Sequence, residues 1–235
     1  MSLKISIPAI CAVSLGVTTL ANAQFKPAMI DGGTDAAIKR INVRRLMERG
    51  EKDAVVMFDR VVLTDSMFAL ATEITYASPG SQLLQNELVG AINSVHFTPA
   101  LVDGKPTQVG FYGTATFSTK DGQPQLRIYA NQEPEEIAAG HDFIAPQPIM
   151  VKSKSRDAAA NLLSGARAKH KTGAVILSLS VDAAGKPTDV KVVSETPTGL
   201  NFGAAAAMMA REDKFIPGFR NGKPVACTVK IREVL

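Results

Sequence analysis

Ten residues close to the end of the chain, Val225 to Val234, have the spacing that suits binding through a β-strand. From Val225 to Val234 apolar and other residues alternate, which is the period of a strand with one buried face. One set of alternate residues faces the expected core: Val225, Cys227, Val229 and Ile231. The other set points the opposite way: Ala226, Thr228, Lys230 and Arg232.

At the edge of a sheet, such a strand carries unpaired N–H and C=O groups that can accept a partner strand. We therefore predict that Ala226, Thr228, Lys230 and Arg232 contact a binding partner. Two other interpretations stay open. Lys230 and Arg232 would act as charges that keep the edge unpaired, or two strand edges of this chain would pair with each other and bury the site.

Side chains that could act as nucleophiles or metal ligands are sparse and scattered. Cys227 falls on the core-facing set of the last strand, which predicts a buried structural thiol; an exposed thiol would allow an intermolecular disulfide. His96, His141 and His170 are too far apart in the sequence to form a metal-binding motif. We predict neither metal nor cofactor.

Two further segments could suggest chemistry at first sight. Residues 165–172 match a phosphate loop only in part. His170 stands where the motif requires glycine, and a strand is predicted to follow instead of a helix. Glu133, Glu135 and Glu136 lie in a Pro-containing loop, where solvated carboxylates are expected. We predict no catalytic residue. An enzyme would need a pocket in which several polar side chains converge, and the sequence does not indicate one.

The N-terminal segment is predicted to be an export signal rather than part of the fold. Residues 1–23 contain one lysine, an apolar run and then Ala21-Asn22-Ala23, which is typical of a signal peptide with its cleavage site. The rest of the chain is then expected to be periplasmic, with an extracellular location as the alternative. The formal net charge is only +4, with scattered basic residues, so we expect neither nucleic-acid binding nor membrane insertion.

The same ten-residue pattern occurs twice in the chain. FTPALVDGKP begins at Phe97 and FIPGFRNGKP begins at Phe215, an offset of 118 residues. Proline ends the helix that precedes each copy, and Asp103-Gly104 and Asn221-Gly222 predict tight turns. The pattern thus predicts the same transition, from a helix to a closing strand, in two places.

The elements around the two copies follow the same order, α-β-β-α-β. The first predicted unit contains a helix over 34–50, strands over 54–63 and 67–76, a helix over 81–95 and a strand over 108–118; an extra hairpin turns at Asp121-Gly122. The second contains a helix over 156–173, strands over 174–181 and 189–194, a helix over 200–214 and the last strand. The predicted core comprises Met57, Val62, Leu84, Leu88, Ile92, Phe97, Val175, Leu177, Val181, Phe202, Phe215 and Val229.

The second unit resembles the TonB C-terminal domain family. The resemblance rests on the strands over 174–181 and 189–194, on Phe215-x-Pro217 and on Gly222-Lys223-Pro224-Val225 before an apolar last strand. It covers residues 173–235 well and residues 53–117 in weaker form. The chain lacks the family's membrane anchor and Pro-rich spacer, and Glu212-Asp213-Lys214 replaces an aromatic residue.

The resemblance implies an α+β fold in which antiparallel sheets pack against helices. We expect a first divergent repeat over 24–145 and a second over 146–235. The implied function is a non-enzymatic binding or adaptor protein that contacts an extended peptide or an envelope protein, such as an outer-membrane receptor, and is linked to TonB-type transport. The alternative is a structural protein that self-associates as a strand-paired homodimer or larger assembly.

Overall fold

A computed structural model describes residues 24–65, 70–140, 142–151, 154–168 and 171–235. The predicted signal peptide, His141, His170 and the beginning of the strand predicted from Met67 lie outside the described residues. No helix of the described segments is long and apolar enough to cross a membrane.

The first half of the chain builds a four-stranded sheet and the helices that cover it. Its elements are β1 (Phe25–Lys26), β2 (Met29–Ile30), α1 (Thr34–Ile38), α2 (Val43–Glu48), β3 (Ala54–Val62), β4 (Glu73–Ala77), α3 (Gln82–Ser94), β5 (Phe97–Thr98), β6 (Ala100–Val102), β7 (Lys105–Thr107), β8 (Val109–Lys120), β9 (Gln123–Tyr129) and α4 (Pro134–Ala139). The sheet has the order β4-β3-β8-β9.

The second half builds a three-stranded sheet with the order β13-β12-β17. Its elements are β10 (Phe143–Ile144), β11 (Gln147–Pro148), α5 (Lys154–Leu162), α6 (Ser164–Ala168), β12 (Ala174–Val181), β13 (Pro187–Thr196), α7 (Phe202–Glu212), β14 (Phe215–Ile216), β15 (Gly218–Arg220), β16 (Lys223–Val225) and β17 (Cys227–Val234). All these pairings are antiparallel, as are those of the first half, so the predicted α+β class is confirmed.

Short strand pairs recur in the two halves at the offset seen in the sequence. Ile30 pairs with Phe97, and Pro148 pairs with Phe215. The two predicted turn dipeptides are also equivalent, because Asp103 and Asn221 have φ values of 51° and 50° and a glycine with positive φ follows each. The repeated motif therefore forms the same local structure twice. The division into repeats over 24–145 and 146–235 stays a prediction; β10, at Phe143–Ile144, pairs with β15 of the second half.

The helices at the beginning of each half are shorter than predicted. The helix expected over 34–50 is two helices, because the Asn42 side chain accepts a hydrogen bond from Arg45 N–H at 2.9 Å and so caps a new helix. The helix expected over 156–173 is likewise divided into α5 and α6. The strand expected over 67–76 is observed as β4, from Glu73.

Buried apolar side chains form two clusters, one over each sheet. Of the twelve predicted core residues all but Met57 are buried. Met57 is half-buried because β3 alternates, with Phe58 and its even-numbered neighbours in the core and the odd-numbered residues on the opposite face. Several residues cross between halves: Ile216 and Phe219 join the first cluster, and Tyr112 joins the second.

The Gln147 side chain also connects the two halves, because its amide group bonds to the backbone of Ala28 as a neighbouring strand would. Gln147 Oε1 accepts a hydrogen bond from Ala28 N–H, and Gln147 Nε2 donates one to Ala28 O, both at 2.8 Å. Gln147 is 1 % exposed, so this pair of bonds satisfies a buried amide and a buried peptide group together.

Candidate functional site

The predicted binding strand, β17, lies at the edge of its sheet. It pairs with β12 along its whole length, from Val181↔Cys227 to Ala174↔Val234, and none of the described strands pairs with its other side. Val229 and Ile231 are buried, whereas Thr228 and Lys230 are exposed and Arg232 is half-buried. Ala226 is exposed and immediately precedes the strand. The predicted alternation is therefore correct.

Side-chain oxygens of the first half accept hydrogen bonds from two outward N–H groups of β17. Lys230 N–H donates to Glu133 Oε2 at 2.8 Å, and Arg232 N–H donates to Gln132 Oε1 at 3.2 Å. Because alternate N–H groups of a strand point the same way, Thr228 N–H also faces outward. None of the described residues accepts a hydrogen bond from it. Two of the four outward donors of β17, which are the N–H groups of Thr228, Lys230, Arg232 and Val234, are thus bonded to side-chain oxygens instead of a strand.

The two capping side chains differ in how firmly they are held. Gln132 is 3 % exposed, and its Nε2 also donates to Phe58 O at 3.2 Å and to Thr75 Oγ1 at 3.4 Å. Glu133 is half-buried and makes no other side-chain hydrogen bond among the described residues. Gln132 is therefore held in place by the surrounding structure, and a partner would displace Glu133 more easily.

The edge of the first sheet approaches β17 without pairing with it. Strand β4 lies beside β17, and the Arg232 guanidinium lies 5.2 Å from the centre of the Tyr76 ring. A hollow of about 160 Å³ opens there, and its lining residues include Met57, Tyr76, Ile176 and Ile231. Backbone pairing of the two edges, one of the three interpretations, does not occur between these described strands.

A larger cavity, of about 530 Å³, lies between the two halves. Glu73, Asp59 and Tyr112 stand in one row across β4, β3 and β8, as the strand register requires. Glu233 of β17 meets this row, because Tyr112 O–H donates to Glu233 Oε1 at 3.3 Å. Asp213 closes another side, where its Oδ2 accepts from Arg156 at 2.7 Å.

Burial perturbs the ionisation of these acids. Desolvation raises the pKa of Glu233 to about 7; the Tyr112 hydrogen bond opposes the shift, and the nearby charges of Asp213 and Asp59 add to it. Desolvation and then the charge of Glu73 raise the pKa of Asp59 to about 6. Burial also raises the pKa of Asp213, against the effect of Arg156. The cavity therefore holds carboxyl groups that are costly to ionise.

Residues 164–233 match the family model described as Gram-negative bacterial TonB protein C-terminal. The second half of this chain carries a TonB C-terminal-like domain. The match includes β12, β13, α7 and nearly all of β17, which are the elements that form the second sheet and its cover. Neither the curated proteins nor the solved structures contain a match to this chain.

TonB C-terminal domains are protein-interaction domains of the Gram-negative periplasm, and outer-membrane proteins are their typical partners. This assignment supports a role in protein interaction or transport at the cell envelope. In the TonB C-terminal-like domain of this chain, the last strand is the one that the first half caps.

The other candidate side chains have structural surroundings. Cys227 is half-buried against the second core, and burial raises the pKa of its thiol to about 11, so the reactive thiolate is disfavoured. The segment that resembled a phosphate loop begins in α6 and leads to β12. No three His, Cys, Asp or Glu side chains among the described residues are placed to share a metal ion.

The expectation of solvated loop carboxylates is wrong for two of the three glutamates. Glu133 caps Lys230, and Glu136 forms an ion pair with Arg220, which also lies over the Phe143 ring. Only Glu135 is exposed.

The sequence reasoning missed the cavity, although part of its signal was present. Glu233 continues the alternate set of Val229 and Ile231, so strand periodicity alone would have placed a carboxylate on a core-facing row. Asp59 likewise interrupts an apolar strand. Their approach to each other depends on how the two sheets pack, which the local pattern does not report.

Proposed function

We propose that this chain is a non-enzymatic periplasmic binding or adaptor protein that adds an extended segment of an envelope protein to the outer edge of β17. One observation carries the proposal: the outward N–H groups of Lys230 and Arg232 bond to side-chain oxygens and not to another strand. The donors that a partner strand needs are therefore aligned and temporarily satisfied.

Binding by strand addition would replace a side-chain acceptor of this chain with a backbone acceptor of the partner. A carbonyl group of the partner would replace Glu133 Oε2, the more easily displaced acceptor, while Gln132 Oε1 keeps its hydrogen bond to Arg232 N–H. The gain would come from Thr228 N–H, which finds no acceptor within the described chain, and from an apolar side chain entering the hollow beside Tyr76 and Ile231. Main-chain bonds would provide affinity and the hollow would provide selectivity.

We propose that the first half, as a divergent repeat of the second, regulates this edge. The recurrence of strand pairs at the 118-residue offset supports a duplication. The capping residues Gln132 and Glu133 belong to the predicted first repeat, and the strand they cap belongs to the second. The first repeat would then control access to the edge strand of the second.

Self-association is the second candidate, because the opposite edge of the same sheet is open. Val192 and Val193 of β13 are 43 % and 54 % exposed, and β13 pairs only with β12 among the described strands. A register shift beside Val193 disfavours regular addition of another strand. Light scattering across micromolar concentrations tests this candidate, and a monomer throughout would remove it.

The family match at residues 164–233 supports the non-enzymatic part of the proposal, because TonB C-terminal domains are protein-interaction domains. The cavity between the halves does bring carboxyl groups together, and an enzyme would need such a pocket lined by polar side chains. Among its described lining residues, however, there is no serine, cysteine or histidine.

The test compares proline variants at the two edges of the second sheet. Thr228→Pro removes an outward donor of β17, and Val192→Pro removes an outward donor of β13. We expect periplasmic cross-linking to capture an envelope protein with the wild type and Val192→Pro and to lose it with Thr228→Pro. Circular dichroism must show that both variants fold. Equal capture by both variants would place binding elsewhere and overturn the proposal.

A further inference from the structure

One segment of the first half concentrates the positive charge of the chain. Residues 39–52 contain six basic and two acidic residues, and their net charge of +4 equals the formal net charge of all 235 residues. The rest of the chain is therefore neutral as a whole. The six basic residues are all exposed, and together we call them the basic face: Lys39, Arg40, Arg44, Arg45, Arg49 and Lys52.

The packing of α2 turns the basic face outward. Leu46 is buried in the first core, and Met47 packs against the same core. The period of the helix then places Arg45 and Arg49, which are one turn apart, on the opposite side. The positions of these charges are thus fixed by the apolar residues of the same helix.

Most of this charge is not neutralised within the described chain. Arg44 Nε lies 3.6 Å from Glu48 Oε1, but both side chains are exposed, so this ion pair is weak. The second acid of the segment, Glu51, is buried and its Oε2 accepts a hydrogen bond from Leu84 N–H at 2.8 Å. None of the other five basic side chains forms an ion pair with a described acid. An anionic partner would relieve the repulsion among these like charges.

The form of the basic face favours an extended anionic surface over a small anion. None of its six residues lines the hollow beside β17 or the cavity between the halves. Four of the six are arginines, whose planar N–H donors match the oxygens of phosphate groups. The family to which the second half is matched acts in the Gram-negative periplasm, between two membranes. Phospholipid headgroups are therefore the anionic surface that this face would meet.

The basic face lies away from the outer edge of β17. Helices α1 and α2 pack against β9, which is one edge of the first sheet, whereas β17 lies beside β4, which is the other edge. Three strand spacings of about 4.8 Å separate β9 from β4. A surface held at the basic face would thus leave β17 accessible.

We propose that the basic face binds the anionic phospholipid headgroups of a membrane surface. The contact is electrostatic and reversible, because the apolar side of α2 is occupied by the core and is not available for insertion. The proposal does not depend on strand addition at β17, since none of the residues involved is shared.

The first test is co-sedimentation of the protein, purified from the periplasm, with lipid vesicles. At about 0.1 M salt we expect the protein to sediment with phosphatidylcholine vesicles that contain about 30 % phosphatidylglycerol, but not with phosphatidylcholine alone. At about 1 M salt, where the Debye length falls to roughly 3 Å, binding should weaken at least tenfold. Failure to sediment with the anionic vesicles, equal sedimentation with both, or insensitivity to salt would overturn the proposal.

Paired variants locate the contact. Arg45→Gln/Arg49→Gln should weaken vesicle binding at least tenfold, because each basic residue near an anionic surface contributes about fivefold. Lys186→Gln/Lys223→Gln removes the same charge from exposed positions of the second half and should change binding less than about twofold. Circular dichroism must show that both variants fold. Equal weakening by both would assign the effect to net charge and would sink the idea.

Soluble polyglutamate distinguishes a membrane from an acidic protein as the partner. We expect the protein to bind phosphatidylglycerol vesicles more tightly than polyglutamate when the two are compared at the same concentration of negative charge. Tighter binding to polyglutamate would assign the basic face to an acidic protein instead, and the proposal of a membrane contact would be wrong.

Discussion

At the scale of single residues, the half-buried acids Asp59 and Glu233 make the free energy of unfolding decrease as the pH rises. A carboxyl group whose pKa is raised on folding binds its proton more tightly in the folded state, so it stabilises the fold when protonated. The contribution is fully present below the unfolded pKa and is lost as pH rises through the folded pKa. For Asp59 and Glu233 that window extends from about pH 4 to about pH 7.

Glu233→Gln should remove about half of this pH dependence, because the pKa of Asp59 is raised by a similar amount. Glutamine can still accept the Tyr112 hydrogen bond but never ionises, so the variant should be more stable than the wild type at pH 8 by about 1–3 kcal/mol and similar to it at pH 4. Glu233 is only half-buried, which favours the lower end of that range. Urea denaturation at the two pH values measures the difference, with Glu48→Gln as the exposed control. A variant less stable at pH 8 would contradict the assignment.

Gly113 is a residue at which any side chain should disturb the first core. A Cβ atom there would lie 2.3 Å from Phe58 Cζ, and Phe58 is fully buried, so its ring has no space to move. We expect Gly113→Ala to lower the free energy of unfolding by about 1–3 kcal/mol. Gly90→Ala, in helix α3 with no atom within 4 Å of its Cβ, should instead stabilise by about 0.5–1 kcal/mol. Thermal denaturation compares the two, and equal shifts would contradict the packing argument.

At the scale of elements, the edge of β17 shows how a fold can protect a strand without pairing it. An exposed edge invites association with any extended chain, and natural sheets cover such edges or place charges on them. Here the cover consists of two side-chain oxygens, while Lys230 and Arg232 add charge. The interpretation that the edge is kept unpaired and the interpretation that it binds a partner are therefore compatible. The same contacts cover the edge and keep its N–H donors aligned.

Removal of the weaker cap should make the edge more available. Glu133→Ala frees Lys230 N–H, and the cost of displacing one hydrogen bond, about 0.5–1.5 kcal/mol, no longer opposes binding. We expect the captured envelope protein to bind roughly 2- to 10-fold more tightly, or the variant to dimerise if no partner is present. Glu135→Ala removes the same charge from an exposed neighbour and should have no effect. Surface plasmon resonance and light scattering provide the two readouts; weaker binding by Glu133→Ala would mean that this glutamate contacts the partner.

The sequence predicted local elements well and long-range contacts poorly. Strand alternation correctly placed Val229 and Ile231 inside, and the Gly-containing dipeptides correctly marked the turns. The helix predicted over 34–50 is too long because Asn42 lies inside that range, and its side chain caps a new helix there. The caps on β17 join residues 97 and 100 positions apart, and no local pattern encodes such a contact.

At the scale of the whole molecule, the two halves share their interiors. Ile216 comes from the second half but is fully buried in the first core, and Tyr112 makes the reverse crossing. The buried Gln147–Ala28 bonds add a polar connection between the halves. Separation of the halves would expose apolar side chains on both sides and leave buried polar groups unpaired, so the two sheets are expected to unfold together.

Ile216→Ala tests that cooperativity. Loss of a fully buried isoleucine should lower the free energy of unfolding by about 2–5 kcal/mol, and because the side chain lies in the core of the other half, both sheets should become less protected. Amide hydrogen exchange should accelerate to a similar extent in β3 and β12, within a single unfolding transition. Val192→Ala, at an exposed position of β13, should change stability by less than about 0.5 kcal/mol. If exchange increased in β12 alone, or two transitions separated, the halves would be independent domains, and the capped edge of β17 could open without unfolding either of them.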